Sequence, residues 1–329
     1  MESGKAYLEK HGVEKKLSSA IAEAIRTRPA DPLAFIADKI STPAPKESET
    51  YSGFNKFDAA AKAEVFGKVF DVGLPMWEKL YECLEPEASA AMTKILSVGD
   101  GPGEPGCFLA AKFGTPTITS DGVVPMVELA KKRVEAKGLA GKVECIVLDM
   151  ADLSSIPDAS VDILSSAHAY PFVPDQPKAL AEAMRVLKPG GVFGAVVWKT
   201  FELLPLAGAL MGAVTGKPPA PPPAPPPPVA WADPAVSDKL LTDAGFELKK
   251  GSEDPITFEL TDMDVALKYS ALPIWDRISA LEADGSIPDA WTKYEAAWPK
   301  IAKEKGHIGG FEGFKISAVY RTIVAKKPA

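Results

Sequence analysis

The chain has 329 residues, 46% hydrophobic and 25% charged, the balance of an ordinary globular protein with a sizeable core. Its net charge of −7 argues against broad electrostatic capture of nucleic acid, which needs a basic face to neutralise phosphates. No apolar run reaches the roughly 18 residues that suggest a membrane span, and the charged start MESGKAYLEKHGVEKK does not read as a signal peptide.

Three cysteines, Cys83, Cys107 and Cys145, are scattered without a C-x-x-C spacing. They suggest neither a disulfide framework nor a zinc site. No metal is expected, and a reducing, cytoplasmic setting fits best.

From the N-terminus, Tyr7, Leu8, Val13, Leu17, Ile21 and Ile25 recur at helical spacing over residues 5–26. RTRPADP breaks that helix. Asp31-Pro32 starts a second, with Asp31 as N-cap and proline in the first helical position. Such a hairpin is too small to bury both faces alone. The pattern YLE…V…L…RP.DP..F.A across it resembles the Dpy-30 motif, a relative of the RIIα dimerisation-and-docking fold. The resemblance implies a homodimer, or docking of a partner helix, through residues 5–40 of a hairpin spanning 1–42.

Residues 43–55 read as a polar linker, and residues 56–90 as two helices. Then KILSVGD, PTITSDG, VECIVLD, VDILSSAHA and VFGAVVWK read as strands. Helical patterns GCFLAAKFG, PMVELAKKRVEAKG and KALAEAMRVLKPGG fall between them, the last ending in a Lys-Pro-Gly-Gly turn. Alternation of this kind predicts a doubly wound, mostly parallel α/β sheet with helices on both faces. The proline-rich stretch within 216–234 reads as an exposed polyproline spacer, open to docking by a proline-reading domain. DKLLTDAG then predicts a helix, and FELKKG, PITFEL and FKISAVYRTIVAKK further strands. Residues 262–305 read as a helical cap.

The strongest chemical signal is ILSVGDGPGEPG at 95–106, where a strand runs into glycines and a helix follows. Glycines permit the tight turn and close approach of a ligand to the backbone. The loop also satisfies the G-x-G-x-x-G fingerprint. Asp121 ends the second strand, where a carboxylate would grip a ribose; NAD and S-adenosylmethionine both fit. Asp149-Met150 ends the third, placed to meet an adenine. No Tyr-x-x-x-Lys pair occurs, which removes one common dehydrogenase set.

Glycine loop, Asp121, Asp149-Met150, VDILSSAHAYPFV and VLKPGG, in this order, resemble the class I methyltransferases, in particular the small-molecule type 11 or UbiE-like branch, over about residues 75–205. The resemblance implies a seven-stranded Rossmann-like sheet and an S-adenosylmethionine cofactor. It implies in-line methyl transfer to a small-molecule acceptor. Gly99, Gly101 and Gly103 would meet the methionine portion, with Asp100 inside the same loop. Asp121 would hold the ribose, with Gly122 and Val123 flanking the adenine. Asp149 and Met150 would address the adenine, and Ser166, Ala167 and His168 would line the cleft near the sulfonium. Ser97 stands where the family usually carries a carboxylate. Asp100 and Glu104 read locally as solvent-facing turn residues. His168 is the candidate base, and Tyr170 and Tyr51 could hold the acceptor. Phe201, Leu203, Leu204, Leu206, Leu210, Met211 and Trp231 could form an apolar wall; Trp275, Trp291 and Trp298 follow in the cap. Competing expectations are a nicotinamide-dependent oxidoreductase and an inactive docking protein acting through the hairpin.

Overall fold

The computed structural model describes residues 17, 21, 31–41, 58–218, 227–309 and 313–329. The chain divides into two compact units, Met1–Lys46 and Glu47–Ala329. In the first, the helix Pro32–Ser41 (α1) starts as the sequence predicts: Asp31 Oδ1 accepts from Ala34 N at 3.0 Å. The rest of the expected hairpin, apart from residues 17 and 21, and the whole linker 43–55 lie outside the described residues.

The second unit opens with two helices, Ala59–Val69 (α2) and Leu74–Leu84 (α3). Strand β1 (Ile95–Val98), helix α4 (Gly106–Phe113), strand β2 (Thr117–Asp121), helix α5 (Val124–Ala136) and strand β3 (Val143–Val147) follow. Next come β4 (Val161–Ala167), α6 (Gln176–Val186) and β5 (Leu187–Phe201). Every residue of β1 and β4 is buried, as expected of central parallel strands covered on both faces.

The parallel strands lie in the order β3-β2-β1-β4-β5. Ile95 of β1 is in register with Thr117 on one side and Ile163 on the other. Strand order therefore reverses between β1 and β4. Open α/β sheets bind ligands at such a switch point, outside the carboxyl ends of the strands.

Helices α7 (Leu203–Thr215) and α8 (Pro234–Asp243) lead to strands β6 (Glu247–Leu248) and β7 (Ser252–Leu260). The cap then forms three helices, α9 (Met263–Ala271), α10 (Trp275–Ala283) and α11 (Ala290–Glu304), before strand β8 (Phe314–Lys326). β8 runs antiparallel to β5, and β6 and β7 both pair with its far side. Among the described residues the sheet thus has eight strands, where the family resemblance implies seven. The last edge strand is interrupted by a bulge: Glu247↔Lys326 and Ser252↔Thr322 are five residues apart on one side and four on the other. Gly251 sits there because a Cβ would lie 2.0 Å from Thr322 O.

The Lys-Pro-Gly-Gly turn is built into the start of β5, with Gly190 at φ 73. Lys188 Nζ reaches back 2.8 Å to Asp162 Oδ1. Further along β5, Gly194 admits α3: a Cβ there would lie 2.7 Å from Leu84 Cδ2. Leu80 and Leu84 are fully buried against it, each contributing about 1.5–3 kcal/mol relative to exposure. This packing anchors the two leading helices near the carboxyl ends of the strands. Among the described residues no helix is long and apolar enough to cross a membrane.

Candidate active site

Beyond β1 the chain turns through Gly99 (φ 65) and Gly101 (φ 54), conformations that favour glycine. Gly99 also has no room for a side chain, since a Cβ would lie 2.3 Å from Ala169 Cβ. Asp100, between them, is fully buried rather than solvent-facing. Its Oδ1 accepts from Ser97 Oγ at 2.5 Å, and its Oδ2 accepts from Thr119 Oγ1 at 2.5 Å and Gly106 N at 3.1 Å. Ser165 Oγ donates to Ser97 Oγ at 2.7 Å. Burial pushes the Asp100 carboxyl up to about 7, against the pull of the two hydroxyl donors. Ser97 and Asp100 therefore brace the loop from behind and do not reach the cavity described below.

Glu104 is also buried and not a surface turn residue. It accepts from Phe108 N at 2.8 Å and pairs with Lys137 at 2.9 Å. Gly103 lets the loop lie on α5, where a Cβ would be 3.1 Å from Ala130 Cβ.

Asp121 closes the loop from the next strand. Its Oδ2 accepts from Gly101 N and its Oδ1 from Val123 N, both at 2.9 Å. Burial raises its carboxyl to about 6, opposed by these two amide bonds. Gly99, Gly101, Asp121 and Val123 all line one cavity of about 580 Å³, within the range of small-molecule sites. Ala167 and His168 line it too.

The lining is also strongly aromatic. Phe66, Phe70, Trp77, Phe172, Trp198, Phe201, Phe258 and Tyr269 face the cavity, with Leu203 and Leu204 in the same lining. Phe70 stacks on Trp77 at 5.8 Å, and Trp198 on Phe201 at 4.6 Å. His168 lies between these pairs, stacked on Trp198 at 3.9 Å. It adopts φ 59, and neither ring nitrogen has a hydrogen-bond partner among the described residues. Burial lowers its pKa to about 3, so the ring is neutral at physiological pH.

The remaining expected site residues lie elsewhere. Tyr170 is buried in the core, stacked on Trp231 at 5.5 Å and edge-on to Phe193 at 5.2 Å. Burial raises its phenol well above the usual range. Met150 is buried against Gly99 rather than facing the cavity. Asp149 Oδ1 accepts from Ala151 N at 2.8 Å, and Gly122 and Ser166 lie just off the lining. Tyr51 lies outside the described residues. Of the expected apolar wall, Phe201, Leu203 and Leu204 reach the cavity, whereas Leu206, Leu210 and Met211 are core. Trp275, Trp291 and Trp298 pack within the cap.

Residues 96–195, which contain this loop and the carboxyl ends of β1 to β4, match the family model described as "Methyltransferase domain". Over this stretch the chain is similar to methyltransferase domains. Methyltransferase GfsG of Streptomyces halstedii is 34% identical over 123 residues, covering 37% of this chain and 42% of that protein. The ubiquinone/menaquinone biosynthesis C-methyltransferase UbiE of Shewanella halifaxensis is 30% identical over 139 residues, 40% of this chain and 53% of that protein. The mitochondrial 2-methoxy-6-polyprenyl-1,4-benzoquinol methylase of Schizosaccharomyces pombe is 25% identical over 230 residues, 62% and 74% respectively. The chain spans about half the length of the first two.

The cavity fits the cofactor that the resemblance implies. A Cβ on Gly101 would point toward Phe70 Cζ at 3.5 Å, so the bare backbone leaves a cradle beside an aromatic ring. The Asp121 carboxylate lies at its edge.

The sequence reading missed Lys62, Phe66, Phe70, Trp77, Trp198, Phe258, Tyr269 and Asp276, which all line the cavity. A signal existed for the first three: 62, 66 and 70 recur every fourth residue, the first two on one face of α2 and the third just past its end.

Proposed function

We propose that the chain transfers a methyl group from S-adenosylmethionine to a small, largely apolar acceptor with an aromatic ring. One observation carries this reading: the Gly99–Gly101 loop and Asp121 open into the same cavity as eight phenylalanine, tryptophan and tyrosine side chains. When bound, the cofactor supplies a methyl group already activated by its sulfonium. Gly99 and Gly101 would hold its methionine portion through the backbone. Asp121 would accept a hydrogen bond from its ribose, and Val123 would pack on its adenine, with Asp149 and Met150 supporting that end from behind.

The protein's remaining task is alignment and exclusion of water, and proximity alone can supply much of such a rate. Trp77, Trp198, Phe201 and Phe258 form a dry wall against which a planar ring packs. Offset-stacked and edge-on aromatic pairs contribute about 0.5–1.5 kcal/mol each beyond area burial. His168, neutral and with open nitrogens, serves as a hydrogen-bonding part of that wall. Burial makes it a poor proton acceptor. The benzoquinol named for the Schizosaccharomyces relative is a ring of the kind this wall accommodates.

Calorimetry with S-adenosylhomocysteine tests the cofactor half, with micromolar binding expected; no binding would overturn it. Radiolabelled methyl transfer to a panel of hydroxylated aromatic compounds tests the other half.

We further propose that the N-terminal unit dimerises the chain or docks a partner helix. Leu33 on α1 is 79% exposed, and Leu17 and Ile21 are exposed as well, which supports the reading. Leu33→Asp should convert a dimer to a monomer in light scattering; an unchanged mass would remove Leu33 from the contact. The three cysteines are free thiols, and this supports placing the protein in the cytoplasm.

A further inference from the structure

The cavity wall contains an ion pair with one buried partner. Lys62 on α2 and Asp276 on α10, 214 residues apart in sequence, meet at 2.6 Å. Both line the cavity, beside Phe66, Tyr269, Leu272 and Pro273. Lys62 is nearly inaccessible, with 2% of its side chain exposed, whereas Asp276 keeps 31%.

A pair of this kind is a weak device for stability, because desolvation offsets much of the attraction and a well-packed apolar pair often serves as well. Its place in an otherwise apolar wall therefore calls for a ligand. The order of the two groups decides which kind. The lysine side chain is almost inaccessible and the carboxylate is partly accessible, so the accessible polar atoms of the pair are hydrogen-bond acceptors. The paired ammonium cancels the charge, so the pair has little to offer a cation. A hydroxyl donor fits. Asp121, the other carboxylate of the lining, is held by two backbone amides on the glycine-loop side.

We infer that Asp276 is the anchor for a hydroxyl group on the methyl acceptor, accepting its hydrogen bond while Lys62 fixes the carboxylate's orientation. The inference rests on the proposed methyltransferase reading and narrows the acceptor to a phenol, enol or alcohol on an apolar frame. A site built to bond a hydroxyl discriminates strongly against the analogue that lacks it.

The test uses the full chain saturated with S-adenosylhomocysteine and two probes that differ by one methyl group, 2-naphthol and 2-methoxynaphthalene. Equilibrium dialysis gives both dissociation constants. The unmodified protein should prefer 2-naphthol at least tenfold, and Asp276→Leu should bring the two within twofold. A purely structural tie between α2 and α10 would weaken both probes equally and leave their ratio intact; that result overturns the proposal. Equal affinities for the unmodified protein, or no binding of either probe, overturn it too. Should the leucine variant not fold, Asp276→Asn keeps the volume and should cut the ratio at least threefold; an unchanged ratio counts against the anchor. Calorimetry with S-adenosylhomocysteine alone separates the two readings. Its failure removes the methyltransferase assignment, while the probe ratio, measured without it, still decides Asp276.

Discussion

The imidazole of His168 lies flat on the indole of Trp198, with ring centroids 3.9 Å apart and planes 8° from parallel. Burial explains why the ring resists protonation down to about pH 3. In an NMR titration its resonances should stay those of a neutral imidazole from pH 8 to 5. Trp198→Ala opens the ring to water and should return its midpoint toward the ordinary 6.5. Because the folded pKa is depressed, the unfolded chain takes up the proton first. This group therefore removes stability as the pH falls below about 6.5. A midpoint near 6.5 in the unmodified protein would contradict the buried, stacked placement.

Asp121 ties β2 to the glycine loop through Gly101 N, so its loss should loosen the loop as well as remove a ribose contact. Asp121→Ala is expected to weaken S-adenosylhomocysteine at least tenfold by calorimetry, about 1.4 kcal/mol. Its carboxyl sits near 6 because of burial. Ligand affinity should therefore fall as the pH drops through 6, where the carboxylate acquires its proton. An affinity that is flat between pH 7.5 and 5.5 would show that the charged form is not needed.

The sequence carried the sheet because strand patterns such as ILSV and VECIV alternate with helical ones. It also carried the helical cap, with its polar and apolar residues at helical spacing. It did not carry the direction of Asp100. The turn GDGPGEPG looks polar and exposed, yet Ser97, Thr119 and Gly106 converge on that carboxylate. Thr119 lies on a different strand, and only the β1–β2 register brings it there. Lys62 and Asp276 were invisible for the same reason: 214 residues separate them. Tyr170 follows His168, φ 59, and lies in the other core cluster, although its neighbours Ala169 and Phe172 line the cavity.

The two loop glycines should fail differently. At Gly99 a Cβ would collide with Ala169 Cβ at 2.3 Å in a fixed backbone. Gly99→Ala should cost about 2–4 kcal/mol, as overpacking and strain at a left-handed position together do. At Gly101 the nearest atom to a Cβ is Phe70 Cζ at 3.5 Å. Gly101→Ala should cost only about 1 kcal/mol of backbone strain yet weaken S-adenosylhomocysteine at least tenfold by filling the cradle. Thermal melts and calorimetry on both variants check the contrast; equal losses of stability would refute it.

Ser97, where the family resemblance leads one to expect a carboxylate, donates from Oγ to Asp100 Oδ1 at 2.5 Å. One buried carboxylate thus sits behind the loop, supplied from the neighbouring turn. Ser97→Asp would put two there, and a like charge in that place costs about 3–5 kcal/mol unless one group takes a proton. A drop in Tm of about 10 °C is expected at pH 8. The deficit should shrink as the pH falls below 7, because the crowded pair is then relieved by protonation. Asp100 already sits near 7; with a folded pKa above its unfolded value, the stability it contributes is full below about pH 4 and lost as the pH rises through 7. The double variant Ser97→Asp with Asp100→Ser moves the single carboxylate onto the strand. It should recover at least half of the lost Tm, since Thr119 and Ser165 remain as hydroxyl donors. Recovery by the second substitution alone identifies charge crowding as the cause. A double variant no more stable than the single one would show that the carboxylate is required at position 100 itself, held by Gly106 N and Thr119.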